Sequence, residues 1–320
     1  VTGADAAYVN DRCTTRNVEK IAPGRAVYAA MLNADGKFID DCVIYHIAVN
    51  SWMVVIGTGT GMESLTTVAA GKNCTVLFDD DLHDMSLQGP KSVDILATQI
   101  PTIRDLAYFG ITQARLFGRD VMISRTGYTG ERGYEIFCRA KDAVHLWDSI
   151  LETGGDDVRP VQFSTLDMLR IESYLLFYPG DNSETFPFED GSPCGDTLWE
   201  LGLDFTVSPD KIGFIGSENH YASEGKERFK IYGVQLADGG MAQMDMGARC
   251  MMGGKDVGVI TYGLSSELNN YSVAIARLSP EAAQAGTKLE VVQLDGTKLA
   301  ATAEEMPFYD KDKSVRTAKG

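Results

Sequence analysis

Residues 125–135 read RTGYTGERGYE and lead into a segment that is typical of a β-strand. The three glycines let a backbone approach a flat ligand closely, and the two tyrosines can stack on such a ligand. Glu135 adds a carboxylate that suits the paired N–H groups of an amidine-like edge, such as that of a pterin. A bulged hairpin with polar turns explains the same residues, so the pattern leaves both interpretations open.

Strand patterns lie upstream of this segment. Residues 25–45 predict a β-hairpin, because two runs rich in Val, Ile, Tyr and Phe flank the turn residues Ala34-Asp35-Gly36. Residues 52–56 predict a further apolar strand, which ends in the glycine-rich loop GTGTG at 57–61.

Helical patterns alternate with these strands. Hydrophobic spacing predicts helices over 62–70, from Lys91, over 141–151 and over 166–177, the last of which stops before a Pro-Gly pair. From Lys230 onward the chain consists of short strand-like runs separated by turn residues. This last part predicts a separate all-β domain, a small barrel or sandwich.

Length and composition limit the classes of protein to be considered. The 320 residues are enough for two or three packed units, and 44% hydrophobic with 23% charged residues is a globular composition. Lys and Arg number 29 against 45 Asp and Glu, so the formal net charge is -16. Such a charge repels phosphate backbones and anionic lipid headgroups, and we expect neither a nucleic-acid nor a membrane partner.

Cysteines and histidines give no sign of a metal centre. The 6 cysteines and 4 histidines are widely scattered, and no C-x-x-C motif occurs. A chain of this length can be stabilised by burial without disulfides, which favours reduced thiols and a cytoplasmic location. No signal peptide is visible, and the start at Val1 inside a patterned segment suggests a trimmed or partial N-terminus.

Two adjacent acids, Asp40 and Asp41, open a strand-like run although acids have poor strand propensity. Neighbours on a strand point to opposite faces, so one of them can face a cavity while the other meets solvent or caps a turn. A cavity carboxylate can accept a hydrogen bond from a ligand amine, steer a proton or stabilise an iminium cation. A solvated turn is the structural alternative, because acids cluster near turns.

The GTGTG loop at 57–61 allows a dinucleotide-binding interpretation, since Asp79 and its two acidic neighbours follow about 20 residues later. The fit is poor, because Met62 stands where the third glycine of the fingerprint belongs and no βαβ unit of the right spacing surrounds the loop. A nicotinamide oxidoreductase that uses this loop therefore remains a weaker alternative.

Nine segments taken in order resemble the glycine-cleavage T-protein family, which comprises folate-dependent aminomethyltransferases and related demethylases. The resemblance covers nearly the whole chain, and R-T-G-Y-T-G-E-x-G-x-E is a specific motif. The segments are VTGADA (1–6), TTRNV (14–18), G-R-A-V-Y (24–28), MLNADGKFIDD (31–41), LQGPKS (87–92), SRTGYTGERGYE (124–135), LRIE (169–172), PFE (187–189) and MPFY (306–309).

This resemblance implies an α+β fold. We expect a three-domain cloverleaf of the T-protein folate-binding type, with a central channel for tetrahydrofolate and a C-terminal all-β barrel domain. Residues 1–211 are expected to form the folate-binding region from two interleaved subdomains, and residues 212–320 the barrel domain. MPFY at 306–309 is expected in the closing strand of the barrel.

The resemblance also implies roles for particular residues. Asp41 matches the family's catalytic aspartate, near the N5/N10 edge of the folate and the arriving one-carbon unit. Glu135 matches the glutamate that grips the pterin, while Tyr128 lies beside the cofactor and Tyr45 lines the channel. Arg170, in the matching LRIE segment, is the remaining candidate for cofactor binding.

Charge patterns add two expectations. Helical spacing alone predicts that Arg170 and Glu172 form a solvated or intra-helical pair. The acidic net charge opposes a polyglutamylated folate tail, so a local basic rim is expected, for which Arg16, Arg25 and Arg125 are the candidates.

Departures from the family pattern concern the donor. Leu166 stands where T-proteins usually have an arginine, Ile56 replaces an asparagine, and the 57–61 loop replaces an alanine-rich segment. RIESYLL at 170–176 followed by PFE is closer to folate-dependent demethylases, such as those acting on dimethylsulfoniopropionate, whereas RTGYTGE is closer to the aminomethyltransferases. Folate chemistry is therefore predicted, and the donor is left open.

The predicted function is a tetrahydrofolate-dependent one-carbon transferase that takes a methyl or aminomethyl-derived unit from a small donor. An aminomethyltransferase would use an aminomethyl arm on a lipoyl carrier protein, whereas a demethylase would use a free methylated compound. A non-catalytic folate-binding scaffold, of the kind that assists iron–sulfur assembly, is the second hypothesis. Its KGCYxGQ signature is absent, since residues 177–185 read FYPGDNSET.

Overall fold

A computed structural model describes residues 1–182, 184–186 and 195–318, without the side chain of Asp238. Its strands form a three-stranded sheet, a four-stranded sheet and a closed six-stranded barrel. This architecture confirms the predicted α+β class with a C-terminal all-β barrel. The division of the chain between residues 211 and 212 stays a prediction, and PFE at 187–189 lies outside the described residues.

The first sheet is antiparallel, in the order β1-β2-β3. The predicted hairpin is confirmed, and the Oδ1 atom of Asn33 accepts the backbone N–H of Asp35 and of Lys37 at 3.0 Å each to hold its turn. Two helices cover one face of the sheet and bury Val9 and Leu65 against it. The elements are α1 (Ala6–Cys13), β1 (Arg25–Leu32), β2 (Phe38–Ala48), β3 (Ser51–Ile56) and α2 (Gly61–Ala69).

The second sheet is also antiparallel, in the order β4-β7-β6-β5. Apolar side chains from one of its faces pack against two helices, with Leu96 and Leu146 fully buried there. The elements are β4 (Leu82–Gln88), α3 (Ser92–Ala97), β5 (Ile111–Leu116), β6 (Arg119–Ser124), β7 (Gly133–Arg139) and α4 (Ala140–Gly154).

The other faces of the two sheets meet through a small apolar cluster centred on Ala26, Tyr45 and Phe137. Backbone hydrogen bonds also join the sheets, because the N–H of Ala26 donates to the carbonyl of Phe109 at 2.8 Å. Alternation along β2 and β7 therefore places Asp41, Tyr45 and Glu135 on the faces that look toward each other.

The segment between the sheets and the barrel contains α5 (Phe163–Glu172), α6 (Leu198–Leu201) and α7 (Ser217–Ala222). The helix predicted over 166–177 was wrong at its end, because α5 stops at Glu172 and Tyr174 has a left-handed φ of 54°. A hydrogen bond to the loop that follows competes with the helix there, since the carboxylate of Asp181 accepts the Phe177 N–H at 2.7 Å.

The six C-terminal strands form a closed barrel in the order β10-β11-β8-β13-β12-β9. The spacing of the strand-like runs had predicted a barrel or a sandwich here. Its strands are β8 (Lys230–Leu236), β9 (Arg249–Met252), β10 (Lys255–Ser266), β11 (Tyr271–Leu278), β12 (Lys288–Val292) and β13 (Lys298–Glu304), and α8 (Ser314–Thr317) follows. MPFY at 306–309 was wrongly placed in the closing strand. It follows β13, where the prolyl nitrogen has no N–H for a ladder and the Tyr309 N–H donates to the carbonyl of Glu172 at 2.8 Å.

Candidate active site

The two adjacent acids of β2 have separate roles. Asp40 is fully buried, and its Oδ1 accepts the N–H of Asp41 and of Thr58 at 3.0 Å each. Its Oδ2 accepts the Thr58 hydroxyl at 2.9 Å and the Gly61 N–H at 3.1 Å. Asp40 therefore caps the 57–61 loop. It accepts the Thr58 and Gly61 N–H groups, which would otherwise have to bind the phosphate of a dinucleotide. The loop also follows an antiparallel strand, which argues against the nicotinamide alternative.

Asp41 points the other way, into a pocket that it lines together with Tyr28, Phe177 and Asp181. The Tyr28 hydroxyl donates to its Oδ2 at 2.7 Å. Burial raises the pKa of the Asp41 carboxyl; the Tyr28 hydrogen bond opposes this shift, and the charge of Asp40 adds to it. The sequence-based expectation that one acid of the pair faces a cavity while the other caps a turn is confirmed.

Gly57 fixes the position of Asp41 from the opposite side. A Cβ added at Gly57 would overlap the Oδ1 atom of Asp41, so any larger residue must move that carboxylate.

We expect Gly57→Ala to lower turnover about 10-fold, because a small misplacement of a reacting group is costly. The melting temperature of the variant should stay within a few degrees of the wild type, since the two crowded atoms, Oδ1 of Asp41 and Oδ1 of Asp40 at 3.1 Å, are ends of side chains. Gly240→Ala is the matched control, because the nearest atom to its added Cβ would be a Leu236 methyl carbon at 3.1 Å, far from Asp41 in the barrel part of the chain. Steady-state rates and thermal melts of both variants check this, and equal rates would contradict it.

Glu135 is held by two hydroxyls that donate to the same oxygen. Tyr45 donates to Oε2 at 3.1 Å, and Thr126 also donates to Oε2. Oε1 has no hydrogen-bond partner in the part of the chain that the structure describes, so it is available to a ligand. Burial raises the pKa of the Glu135 carboxyl, and the two hydroxyl bonds oppose that shift.

Asp84 is a residue that the sequence analysis missed. On β4 it lies opposite Phe137 and therefore diagonally across from Glu135, on the same face of the sheet. Its carboxyl is reachable by water yet surrounded by protein atoms on several sides, and this partial desolvation, together with the charge of Glu135, raises its pKa to about 8. An acid within the alternating strand LHDMSLQ was the available signal, but only the strand pairing reveals its neighbour.

Asp84 should make the stability of the protein depend on pH. Its pKa in the folded protein, about 8, exceeds the unfolded value of about 3.9, so folding favours the protonated form. That stabilisation is complete below about pH 4 and is lost as the pH rises through about 8. We expect the wild type to lose about 1 kcal/mol more than Asp84→Asn between about pH 5 and 9, a value reduced for solvent screening. Urea unfolding of both proteins across this range checks it, and parallel curves would contradict it.

The three motif glycines serve packing within the protein. A Cβ added at Gly127 or Gly133 would overlap the Gln88 amide, and one at Gly130 would overlap the Ser173 hydroxyl. Gln88 in turn donates from Nε2 to the carbonyls of Thr126 and Tyr134 at 3.2 Å each. Side chains of the protein itself therefore fill the Cβ side of each of these glycines, and their close approach to a flat ligand stays a prediction.

Tyr128 is half-buried beside the same pocket. Its hydroxyl donates to the carbonyl of Leu176, which lines the pocket with Asp41. Burial raises the pKa of Tyr128, and the charges of Asp181 and Asp41 contribute to this shift while Arg170 opposes it. The RTGYTGE motif and the catalytic candidate Asp41 are thus brought to one region, as the sequence predicted.

Arg170 is buried, at 1% exposure, and the predicted solvated pair with Glu172 was wrong. Its Nη1 lies 2.5 Å from Asp181 and its Nε lies 3.2 Å from Asp167. Glu172 instead accepts the Ser266 hydroxyl of the barrel at 2.5 Å. Since Asp181 lines the Asp41 pocket, the observed contacts of Arg170 hold the pocket wall, and its direct contact with a cofactor stays a prediction.

The three candidates for a basic rim do not lie together. Arg125 is buried and donates to the carbonyls of Leu106 at 3.1 Å and of Arg316 at 3.3 Å, so its proposed rim position was wrong. Arg16 and Arg25 are half-buried and line one common groove.

Neither a metal site nor a membrane span is found among the described residues. These residues contain no group of three or more His, Cys, Asp or Glu side chains that could hold a metal ion. Within those same residues, no helix has the length and apolar character needed to cross a bilayer.

Comparison with family models assigns the chain. The GCVT N-terminal domain matches residues 1–211, and the glycine cleavage T-protein C-terminal barrel domain matches residues 230–310. The chain belongs to the glycine-cleavage T-protein family. The family resemblance seen in the sequence is therefore confirmed. A solved structure of aminomethyltransferase T from Bartonella henselae covers 97% of this family member and 83% of its own chain, with a TM-score of 0.85 at 22% identity.

Three relatives of this T-protein family member carry different functional names. The heme-dependent oxidative N-demethylase gamma subunit of Ectopseudomonas mendocina is 54% identical over 99% of this chain and 84% of its own length. The aminomethyltransferase of Bacillus pumilus is 31% identical over 98% and 85%. The trimethylamine-oxide aldolase of Ruegeria pomeroyi is 31% identical over 98% of this chain and 40% of its own length. The names of these three relatives are thus those of a demethylase subunit, an aminomethyltransferase and an aldolase.

Proposed function

We propose that this chain is an enzyme that transfers a one-carbon unit at the oxidation level of formaldehyde to tetrahydrofolate. The observation that carries the proposal is the pair of carboxylates on facing sheets. Glu135 keeps one oxygen without a partner in the described structure, and Asp41 lines a pocket in the same region. Such a pair provides one anchor for a ligand edge and one charge for the reacting centre.

The donor follows from chemistry that the relatives' names have in common. Two-electron oxidation of an N-methyl group, cleavage of trimethylamine oxide in an aldolase, and transfer of an aminomethyl group all handle carbon at the formaldehyde level. Such a unit is toxic and reactive when free, so immediate capture by a folate nitrogen is useful. The proposed donor is therefore formaldehyde or an iminium ion from an N-methylated amine, in preference to an intact methyl group.

The residues present fit a tetrahydrofolate ring. Glu135 offers Oε1 to an amidine-like N–H edge, while Tyr45 and Thr126 orient the carboxylate through Oε2. Along β2, Tyr45 and Asp41 are four residues apart on one face, about 13 Å at the rise of a strand. When bound, tetrahydrofolate would supply the two nitrogens that form bonds to the arriving carbon, and the donor would leave as water in the case of formaldehyde or as the free amine in the case of an iminium ion. Asp41, held by Tyr28, would then stabilise the positive charge of an arriving iminium ion or accept the proton that the nitrogen releases.

Three of the four histidines are engaged by groups of this protein and are poor ligands for the haem named in the gamma-subunit relative, while His83 is exposed on β4. The His46 Nδ1 atom contacts the Ile21 carbonyl at 2.6 Å, and His145 Nε2 contacts the Phe117 carbonyl at 3.0 Å. His220 is enclosed by Trp199 and other rings. We therefore assign any haem-dependent oxidation to a separate subunit, with this chain receiving the oxidised carbon.

Isothermal titration with tetrahydrofolate, followed by a rate measurement with formaldehyde as donor, tests the proposal. We expect saturable binding and an enzyme-dependent increase in the rate at which formaldehyde is consumed. Binding without rate enhancement would favour the non-catalytic scaffold, and no binding would refute the folate-dependent function. Parallel assays with an aminomethylated lipoyl carrier and with a methyl-sulfonium compound separate the other donors.

A further inference from the structure

The segment that follows the barrel contacts the loop that carries the RTGYTGE motif. We call residues 309–318, which include α8, the C-terminal strap, and residues 125–132, between β6 and β7, the motif loop. The strap begins beside α5, where the Tyr309 N–H donates to the Glu172 carbonyl at 2.8 Å. It ends against the second sheet, whose strand β7 carries Glu135. The strap therefore ties the barrel to the sheet on which the proposed ligand anchor lies.

Two buried arginines of the motif loop bind the backbone of the strap. Arg125 donates from Nη2 to the carbonyl of Arg316 at 3.3 Å and to that of Ala318. Arg132 donates from Nη1 to the same Ala318 carbonyl at 3.5 Å. The acceptors lie at the end of α8, where backbone carbonyls have no partner within the helix. Both ends of the motif loop are thus joined to one end of the strap.

The charges of Arg125 and Arg132 strengthen this attachment. The two residues are 3% and 7% exposed, and no carboxylate lies within 4 Å of either guanidinium among the residues that the structure describes. Burial and the charge of Arg132 lower the pKa of Arg125, because the two cations lie near each other. A buried cation without an acidic partner is costly unless it is hydrogen-bonded, so release of the strap carbonyls would leave both charges less well compensated.

Arg316 of the strap holds the bend of the motif loop. Its Nη2 donates to the Ser173 carbonyl at 3.3 Å, and the Ser173 hydroxyl donates to the Thr129 carbonyl at 3.0 Å. The same Nη2 atom lies 3.2 Å from the position of a Cβ added at Gly130, so the guanidinium packs directly against this bend. Gly130 has a left-handed φ of 77°, which favours glycine. The side chains of Arg316 and Ser173 therefore restrict the loop at its bend.

Tyr309 makes a second contact with the motif loop, and the loop connects both contacts to the ligand site. The Tyr309 hydroxyl donates to Oε1 of Glu131 at 2.7 Å. Toward the site, Thr126 donates to Oε2 of Glu135, and the Tyr128 hydroxyl donates to a carbonyl in the pocket wall. A shift of the loop backbone therefore moves the groups that orient the anchor carboxylate.

We propose that the C-terminal strap holds the motif loop in the conformation of the ligand site, with Arg316 and Tyr309 as positioning residues. Neither side chain is assigned a contact with the ligand. Each acts through the loop backbone on Thr126, Tyr128 and Glu135. That the ligand is tetrahydrofolate rests on the proposed function, whereas the effect of the strap on the order of the loop does not.

Hydrogen exchange of the ligand-free protein, followed by mass spectrometry, tests the effect on the loop. In Arg316→Ala, peptides that cover residues 126–134 should exchange about 10-fold faster than in the wild type, because the loop opens without breaking the contacts at its bend. Tyr309→Phe removes only one hydroxyl and should give about a 3-fold increase. Peptides of β10 and β11 should exchange at the wild-type rate in both variants.

Calorimetry and steady-state rates with tetrahydrofolate test the effect on the site. We expect Arg316→Ala to raise both the Kd and the KM for tetrahydrofolate about 10-fold and to leave kcat at saturating folate within about 3-fold of the wild type. Arg316→Lys keeps one donor for the Ser173 carbonyl, so its affinity should return to within about 3-fold of the wild type.

Arg249→Ala is the matched control for these measurements. It removes an arginine that pairs with Asp256 at 2.6 Å within the barrel. Its melting temperature should fall by a few degrees, as that of Arg316→Ala should, while the exchange of the motif loop and the KM for tetrahydrofolate stay at their wild-type values. A general loss of stability is thereby distinguished from a loss of loop order.

The outcomes separate the strap from the proposed function. Unchanged exchange of the motif loop in Arg316→Ala and Tyr309→Phe would overturn the proposal, as would faster exchange with unchanged affinity for tetrahydrofolate. If Arg316→Ala does not fold, Tyr309→Phe decides the question through the same two measurements. Faster loop exchange in the variants of a protein whose wild type binds no folate would support the control of the loop by the strap and refute the folate-dependent function.

Discussion

Asp41→Asn is expected to lower turnover by roughly 10²- to 10³-fold, the cost typical of losing a preorganised charge at a reacting centre. The asparagine keeps the size of the side chain and can still accept the Tyr28 hydroxyl, so the pocket should retain its shape. Affinity for tetrahydrofolate should change by less than about 3-fold, because the ring is anchored by Glu135. Stopped-flow rates with formaldehyde and calorimetry on the same preparation check both numbers.

Asp40→Asn is the matched control for this prediction. Asp40 accepts four hydrogen bonds, three of them from the 57–61 loop, so its loss should lower stability rather than remove the reacting charge. Its kcat should fall by less than about 10-fold under conditions where the variant is folded. If Asp41→Asn retains wild-type turnover, or if both variants lose the same activity, Asp41 is not the catalytic carboxylate.

Sequence patterns predicted the elements whose structure depends on residues close together in the chain. The hairpin was readable because Asp35 and Gly36 carry turn chemistry between two strand-like runs, and Gly36 has the positive φ of 74° that favours glycine. The barrel was readable because its strands are short and regularly separated by turns. The division of labour in the Asp40–Asp41 pair also follows from alternation along a single strand.

Contacts that an element makes with residues outside it could not be predicted in this way. The overrun of the helix at 173–177 arises because Asp181 competes for the Phe177 N–H, which no helical pattern reveals. Arg170 looked like a surface charge because its partner Asp181 lies beyond the end of the helix. Asp84 was missed because its effect depends on the pairing of β4 with β7, which are far apart in the chain.

The motif glycines also show that a sequence pattern does not identify the groups that an element contacts. Their positions were recognised, but the sequence left open whether a ligand or a bulged hairpin accounts for them. The structure fills the space beside Gly127 and Gly133 with Gln88, from another strand. A glycine-rich motif thus reports close approach of some group, and only the fold tells whether that group is a ligand or a side chain.

Glu135→Gln is expected to weaken tetrahydrofolate binding by roughly 30- to 100-fold, the loss expected when hydrogen bonds to a charged group become neutral. The amide oxygen can still accept the Tyr45 and Thr126 hydroxyls, which directs the amide NH₂ toward the ligand and opposes its N–H donors. Turnover at saturating folate should stay within about 3-fold of the wild type, because Glu135 anchors the ring while Asp41 acts on the one-carbon unit.

Stability distinguishes this loss of binding from a loss of folding. Burial makes a charge at Glu135 costly in the ligand-free protein, as the raised pKa of its carboxyl indicates. Glu135→Gln should therefore melt at the same temperature as the wild type or above it, although it binds folate poorly. Asp84→Asn, the same type of change on the adjacent strand, should also be at least as stable near pH 8 while binding tetrahydrofolate no more weakly. If Glu135→Gln binds folate normally, the ring is anchored elsewhere. If it loses both binding and stability, Glu135 supports the fold and not the ligand. Asp41 would then be the single carboxylate of the proposed pair that acts in the reaction.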